Sequence, residues 1–419
     1  MKGYLPLRRD CETVDASQTR RRVPRLRAGL VAGTATLAVL AGSVLAASGA
    51  FSPGGENVWP YAEEGAAPVL ATVGDIACQP GGPVEGEKQK DVCDKTGAGS
   101  TTRMQAQTAT ADQIEAIEPS LVAILGDEQY EVGRYQDFLG SFDKTYGAFK
   151  FLQRPAPGNH EFYAEHGEAG VQGDGYFDYY NGAQLNPSDG SFITDTFSGQ
   201  TETFTQPRPR QDGQAGHVGA SGDGWYSYDL GAWHVISLNA ECAVQPGGCD
   251  VNGAWFSSET KWLGEDLAGD HAQCTLAYWH QPTFSPTESP FTADSEEGEV
   301  ADAWWKLLYA HGADVVLNGH DHVYARFAPM GPAGNTDPKN GIREFVVGTG
   351  GESLDEVLPG TPNLQAWADQ YYGVMSLALA RDGYTWDYQS AMRSPSAPAG
   401  TPATYSDTGS ARCHGPAQS

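Results

Sequence analysis

The sequence predicts a layered α/β protein, and three observations carry that expectation. Short, apolar, β-rich runs recur along the chain, and each ends in a turn or polar residue. Patterns of helical period separate several of these runs, as expected where strands and helices stack in layers. Of the 419 residues, 40% are hydrophobic and 11% aromatic, which is enough for a large buried core, and one domain is the economical count.

The first fifty residues stand apart. Arg20, Arg21, Arg22, Arg25 and Arg27 precede an uncharged stretch from Ala28 to Ala50, which reads as an export segment with small residues suited to cleavage near Ala46 to Ala50. The arginine run leaves two routes open, a general signal and a twin-arginine one. The expected location is secreted or extracytoplasmic, or the cell surface if the segment is retained. Residues 51–67 read as a linker, 68–392 as the folded domain and 393–419 as a Pro/Ser/Ala-rich tail.

Within the domain, the runs Val69 to Gly74, Leu121 to Gly126, Cys274 to Trp279 and Ala313 to Asn318 read as buried strands. Helical patterns cover Thr102 to Glu118, Arg134 to Phe149, Ser257 to Leu267 and Val300 to His311. Alternation in Trp225 to Leu230 and Trp233 to Asn239, joined by Gly231-Ala232, predicts a hairpin. Three later runs, Arg343 to Gly348, Gly373 to Ala380 and Tyr384 to Ser390, are expected to complete a second sheet. The polar stretch 162–224 reads as a long inserted loop.

Charge and cysteine content narrow the function. Eight of 26 basic and three of 53 acidic residues fall in the first fifty, leaving 18 against 50 and a formal charge of −32. Such a surface disfavours nucleic acid and anionic membrane as partners, so a bound phosphate needs a local positive site. Beyond the export stretch lie Cys78, Cys93, Cys242, Cys249, Cys274 and Cys413, an even number that suits an oxidising compartment. Fifteen pairings are open; Cys78 with Cys93 and Cys242 with Cys249 would close short loops and leave Cys274 for Cys413.

The chemistry concentrates at strand ends. Gly74-Asp75, Gly126-Asp127-Glu128-Gln129-Tyr130, Trp279-His280 and Gly319-His320-Asp321-His322 each follow a strand-like run, and Gly158-Asn159-His160-Glu161 makes a fifth cluster. Singly, each has a bland reading: Gly-Asp and Gly-Asn are turn formers, His280 suits a strand end and Tyr130 a half-buried core. Together they are specific, because strand carboxyl ends in an open α/β sheet point into one crevice. Carboxylate and imidazole donors suit Fe, Mn or Zn, and a carboxylate between two ions can bridge them, with Asp127 the candidate.

The order Gly-Asp, Gly-Asp-x-x-Tyr, Gly-Asn-His-Glu, strand-His and Gly-His-x-His resembles the calcineurin-like metallophosphoesterase superfamily from Pro68 to about Ser390. The usual Asp-x-His opening is here Asp75-Ile76-Ala77, and Tyr130 lies three residues after Asp127, a combination similar to the purple acid phosphatase branch. Gly319 to Arg326 and Val347 to Gly351 resemble that branch as well. The resemblance implies a four-layer α/β/β/α sandwich of two mixed sheets. It implies two metal ions, Fe(III) held by Asp75, Tyr130 and His322, and a divalent Fe, Zn or Mn held by Asn159, His280 and His320, with Asp127 between them. His160 is implied to hold the phosphoryl oxygens or protonate the leaving alkoxide.

The implied activity is hydrolysis of small phosphate monoesters by attack of a metal-bound hydroxide, with no covalent phosphoenzyme. Two alternatives stand beside it. One is a phosphodiesterase on the same centre; the other is a non-catalytic surface binding protein using the aromatic stretches Tyr176 to Tyr180 and Trp225 to Tyr228. His280 is followed by Gln281-Pro282-Thr283, without the adjacent histidines of some plant members, and the oligomeric state is not readable. Glu128, Glu161 and Asp321 are candidates for orienting the imidazoles.

Overall fold

The computed structural model describes residues 66–81, 92–95, 99–163, 173–181, 194–197, 200–203, 223–242, 249–250, 252–288 and 296–415. The export segment and linker expected over 1–67 lie outside these residues except at 66 and 67. The strands in chain order are β1 (Val69–Val73), β2 (Asp94–Lys95), β3 (Gly99–Ser100), β4 (Leu121–Leu125), β5 (Gln153–Ala156), β6 (Thr194–Phe197), β7 (Gln200–Thr203), β8 (Tyr226–Leu230) and β9 (Trp233–Ser237). They continue with β10 (Cys274–Tyr278), β11 (Val315–Asn318), β12 (Tyr324–Phe327), β13 (Arg343–Val347), β14 (Leu364–Ala368), β15 (Tyr371–Ala380), β16 (Gly383–Arg393) and β17 (Ser406–Arg412). The helices are α1 (Thr102–Ile117), α2 (Tyr135–Asp137), α3 (Asp143–Thr145), α4 (Asn159–Phe162), α5 (Asp174–Asn181), α6 (Ala254–Gly269) and α7 (Glu296–Ala310).

Two mixed sheets form the centre. One runs β17-β16-β15-β1-β4-β5 and the other β14-β12-β13-β11-β10-β9-β8. Within the first, β1, β4 and β5 are parallel; within the second, β9, β10, β11 and β13 are parallel. The sheets pack face to face through aromatic contacts between Trp233 and Tyr384, Phe345 and Trp386, and Tyr324 and Tyr388. Neighbouring residues of β10 serve opposite faces: Leu276 and Tyr278 join the core shared by both sheets, while Ala277 joins Leu263, Leu267, Trp304 and Leu308 of α6 and α7. On the first sheet, Ala111 and Ile114 of α1 cover the outer side. Helix, sheet, sheet and helix are thus the four layers. Strands buried on both faces lose the polar alternation of half-exposed ones, which is why the sequence showed them as continuous apolar runs.

Several expectations change. The three late runs do not share a sheet: β13 pairs with β11, whereas β15 pairs with β1 and β16 with β15. The tail reading of 393–419 fails over Ser406–Arg412, which adds an edge strand to β16. Cys413 is bonded to Cys274, and Cys78–Cys93 and Cys242–Cys249 complete the anticipated pairing. The helix expected over Arg134 to Phe149 is broken into α2, a π-helical turn, α3 and the start of a 3-10 turn. Within 162–224, α5 is ordered, and its Tyr176, Tyr179 and Tyr180 are buried beside Tyr226 and Tyr228. Those aromatics are core, which leaves the half-buried Trp225 as the one partly exposed aromatic of the two stretches the non-catalytic alternative named.

Candidate metal centre

The parallel strands of both sheets point their carboxyl ends at one cleft, and the two sheets touch there. Gly74 N–H at the end of β1 donates to Val347 O at the end of β13 (2.9 Å), and His320 N–H after β11 donates to Asp75 Oδ2 (2.9 Å). Asp75, Asp127 and His320, each directly after a strand-end glycine, have positive φ of 61°, 49° and 67°. Non-glycine residues in that region carry strain that is kept where geometry is required. The glycines are needed for close approach: a Cβ at Gly126 would lie 2.5 Å from His280 Nδ1, and one at Gly158 would lie 2.3 Å from Asp127 Oδ1.

Seven of the eight sequence-derived site residues place a donor atom in two adjoining groups. In the first, Tyr130 Oη lies 3.0 Å from Asp75 Oδ1 and 3.2 Å from His322 Nε2, and His322 Nε2 lies 3.4 Å from Asp75 Oδ1. In the second, Asn159 Oδ1 lies 3.1 Å from both His280 Nε2 and His320 Nδ1, which are 3.3 Å apart. Asp127 Oδ2 touches both groups, 3.0 Å from Tyr130 Oη and 3.2 Å from His280 Nε2. Each aspartate spends its other oxygen on backbone, Asp75 Oδ2 on His320 N–H and Asp127 Oδ1 on His160 N–H (2.9 Å).

The donor set fits metal ions. His280 Nδ1 donates to Leu125 O (2.7 Å) and His322 Nδ1 to Ser353 O (2.7 Å), so each ring turns Nε2 inward, where the neutral imidazole offers a lone pair. Asn159 Nδ2 donates to Tyr163 Oη (2.7 Å), so its carbonyl oxygen faces the same point. With neutral rings, Asn159 Oδ1, His280 Nε2 and His320 Nδ1 bring lone pairs together, an arrangement a shared cation makes attractive; without one, a proton on the His280 ring takes its place. Ligands about 2.1 Å from one ion lie about 3.0–3.4 Å from each other, the spacing found here.

The charges of the protein set the titration of these groups. Burial opposes the Asp127 charge, but the imidazoles of His280 and His160 prevail and hold its carboxyl well below the usual range. Burial also opposes the His280 charge, yet Asp127 pushes it up to about 10; Asp75 likewise pushes His322 up to about 9. His320 falls well below its ordinary value through burial and the neighbouring His280, and Tyr130 rises through burial beside Asp127 and Asp75. Cations at the same points invert this order, favouring neutral imidazole and tyrosinate.

His160, the eighth residue, stands beside the groups. Its Nδ1 donates to Glu131 O (2.6 Å), its Nε2 lies 3.9 Å from Asp127 Oδ2, and its ring packs between Tyr130 and Tyr163. Burial lowers its pKa, with Asp127 opposing. Main-chain carbonyls, rather than these flanking acids, hold Nδ1 of His280, His322 and His160. Glu161 instead accepts N–H groups from Asp127 (2.9 Å), Gly158 (2.9 Å) and Gln129 (3.1 Å), clamping the two ligand loops together. Asp321 accepts from Ser285 Oγ (2.6 Å), and Glu128 is buried against Glu161. Sequence reasoning missed the Glu161 clamp and Tyr163. Their signals were a Glu three residues after Gly158, the reach-back position of a first helical turn, and an aromatic four after Asn159.

A family model described as calcineurin-like phosphoesterase matches residues 70–324. Purple acid phosphatase 15 of Arabidopsis thaliana is 33% identical over 112 residues, 26% of this chain and 19% of that protein. An acid phosphatase of Aspergillus ficuum is 27% identical over 177 residues, 34% of this chain and 27% of that one. The chain thus spans about a fifth to a quarter of these relatives. A purple acid phosphatase structure from yellow lupin (Lupinus luteus) seeds superposes with a TM-score of 0.51 at 17% identity, covering 83% of this chain and 55% of that one, a likeness of fold.

Proposed function

The chain belongs to the calcineurin-like phosphoesterase family, and we propose that it is a secreted hydrolase of phosphate monoesters with a dinuclear metal centre. The observation that carries this reading is Asp127 Oδ2, a single carboxylate oxygen at the junction of two groups of inward-facing ligand atoms. Asp75, Tyr130 and His322 would hold one ion, Asn159, His280 and His320 the other, and Asp127 both. When bound, two such ions supply positive charge for phosphoryl oxygens and acidify water. Tyrosinate is a hard anionic donor, so Tyr130 favours Fe(III) at the first position, with Fe, Zn or Mn at the second. The monoester preference draws on the acid phosphatase likeness, and the secreted location on the export-like first fifty residues and the three disulfides.

The protein groups divide the remaining work. Gly126 and Gly158 let the two ligand loops and His280 meet without a side chain between them. His160, anchored through Nδ1, turns Nε2 toward the cleft, where the neutral ring can accept a proton from water. Protonating the leaving alkoxide requires its imidazolium, which burial disfavours, so that role belongs to low pH.

Metal analysis with a visible spectrum tests the centre. We expect two metal equivalents and a tyrosinate-to-iron band in the wild type, and loss of the band in Tyr130→Phe. A fully loaded, active, colourless wild type excludes the Fe(III)–tyrosinate pair. Parallel assays of a monoester and a diester decide the ester class, with the monoester turned over faster.

A further inference from the structure

At the candidate centre opens a cleft of about 610 Å³, lined on the ligand side by His160, His320 and His322 and beyond them by an aromatic ring and carboxylates. Tyr163 forms one wall; 48% exposed, it packs its ring on His160 with centroids 4.7 Å apart and accepts from Asn159 Nδ2. Glu288, Asp355, Glu356 and the 38% exposed Leu358 line the same cleft. Among the described residues lining the cleft there is no Lys or Arg. Asp355 Oδ2 accepts from His322 N–H (3.0 Å), while Glu288 and Glu356 are exposed.

From this wall chemistry we infer that the favoured substrate is a phosphate monoester whose leaving alcohol carries a cationic ammonium group. The inference rests on the phosphomonoesterase reading and names its substrate class. With the phosphate group at the ligand cluster, the alcohol portion would extend into the rest of the cleft, which Tyr163 and the Glu288, Asp355 and Glu356 carboxylates line. An aromatic face attracts an ammonium through its quadrupole, and carboxylates attract it by charge. The same carboxylates repel a leaving group that carries a second phosphate or a carboxylate. In the reaction, water supplies the incoming oxygen and the bond between phosphorus and the alcohol oxygen breaks. The alkoxide takes a proton, and inorganic phosphate and the amino alcohol leave.

Two phosphate esters that differ at one atom test it on the metal-loaded protein: phosphocholine and 3,3-dimethylbutyl phosphate, its neutral carbon isostere. We expect kcat/KM to favour phosphocholine by about fivefold or more, and the ratio to fall toward one in Glu288→Gln/Glu356→Gln, which removes charge and keeps shape. Calorimetric binding of the matching non-hydrolysable phosphonates should follow the same order independently of turnover. A wild-type ratio within twofold of one overturns the inference, as does a large ratio that the double variant leaves unchanged. p-Nitrophenyl phosphate separates the two levels. If it is hydrolysed while phosphocholine shows no preference, only the substrate class is wrong; if no monoester is hydrolysed, the phosphomonoesterase reading fails and this inference falls with it.

Discussion

Two hollows lie at opposite ends of the sheets, and both are lined with histidine and carboxylate. The cleft at the carboxyl ends measures about 610 Å³; the hollow at the amino ends of β9 and β10 is larger, about 1300 Å³, and includes Asp229, His234, Asp266 and Asp270. In the larger one, the Asp266 and Asp270 carboxylates meet donors. Asp266 takes Ser227 Oγ–H (2.9 Å) and His234 Nε2 (2.7 Å), and Asp270 takes Ala272 N–H (2.7 Å) and Thr275 Oγ1 (3.3 Å). In the smaller one, Asn159 Oδ1, His280 Nε2 and His320 Nδ1 face one another. The count of ligand-type residues does not distinguish the two ends. What distinguishes them is whether carboxylates meet donors from hydroxyl, backbone N–H and a single imidazole, or several ligand atoms converge on one point where a proton or a cation must reconcile them.

Matched substitutions break the comparison if it is wrong, and the largest effect belongs to Asp127→Asn. An amide at that position contributes no bridging charge, so activity should fall on the order of 10³-fold with loss of at least one metal equivalent by elemental analysis. Asp266→Asn, at the other end, should leave kcat/KM within about twofold, because nothing it touches reaches the centre. Full activity in Asp127→Asn sinks the dinuclear reading.

The clamp gives a smaller effect. Glu161→Gln keeps the size of the side chain, but the amide nitrogen must face one of three backbone donors, the N–H groups of Asp127, Gln129 and Gly158. We expect metal affinity or activity to drop about 10- to 100-fold, the usual cost of losing a group that orients ligands. Competition with a chelator measures the affinity directly, and unaltered retention of metal would assign Glu161 to folding alone.

Legibility in the sequence followed the same physics. The ligands could be read because four of the motifs close runs whose apolar pattern already fixes a strand end. Glu161 and Tyr163 could be read only as neighbours of a ligand, since their partners lie on other loops or depend on a helical turn of four residues. Sheet membership was less legible still. β15 is apolar and evidently buried, yet its partner β1 precedes it by some 300 residues, and periodicity reports burial without naming what covers it. β17 carries no apolar signal, because its residues, Ser406 to Arg412, alternate only between exposed and half-buried. It is held by the β16 ladder, by Cys274–Cys413 and by Asp407, which accepts from Arg326 Nε (2.7 Å) and Tyr324 Oη (2.7 Å).

The smallest effect sharpens the donor-paired end. Burial alone would lower the His234 pKa, but the Asp266 carboxylate at 2.7 Å, helped by Asp229, raises it from 6.5 to about 9. A pKa raised on folding means that the folded state binds the proton more tightly, so this stabilisation is complete below about pH 6.5 and is lost as pH rises through about 9. His234→Gln should therefore cost on the order of 1 kcal/mol at pH 6 and much less at pH 10, read from urea unfolding at the two values. An equal cost at both would mean that His234 contributes packing rather than charge. Turnover by the loaded enzyme should be the same for His234→Gln and wild type at either pH, because the proton concerned sits at the end of the sheets away from the ligand cluster, in a hollow that shares no lining residue with the cleft.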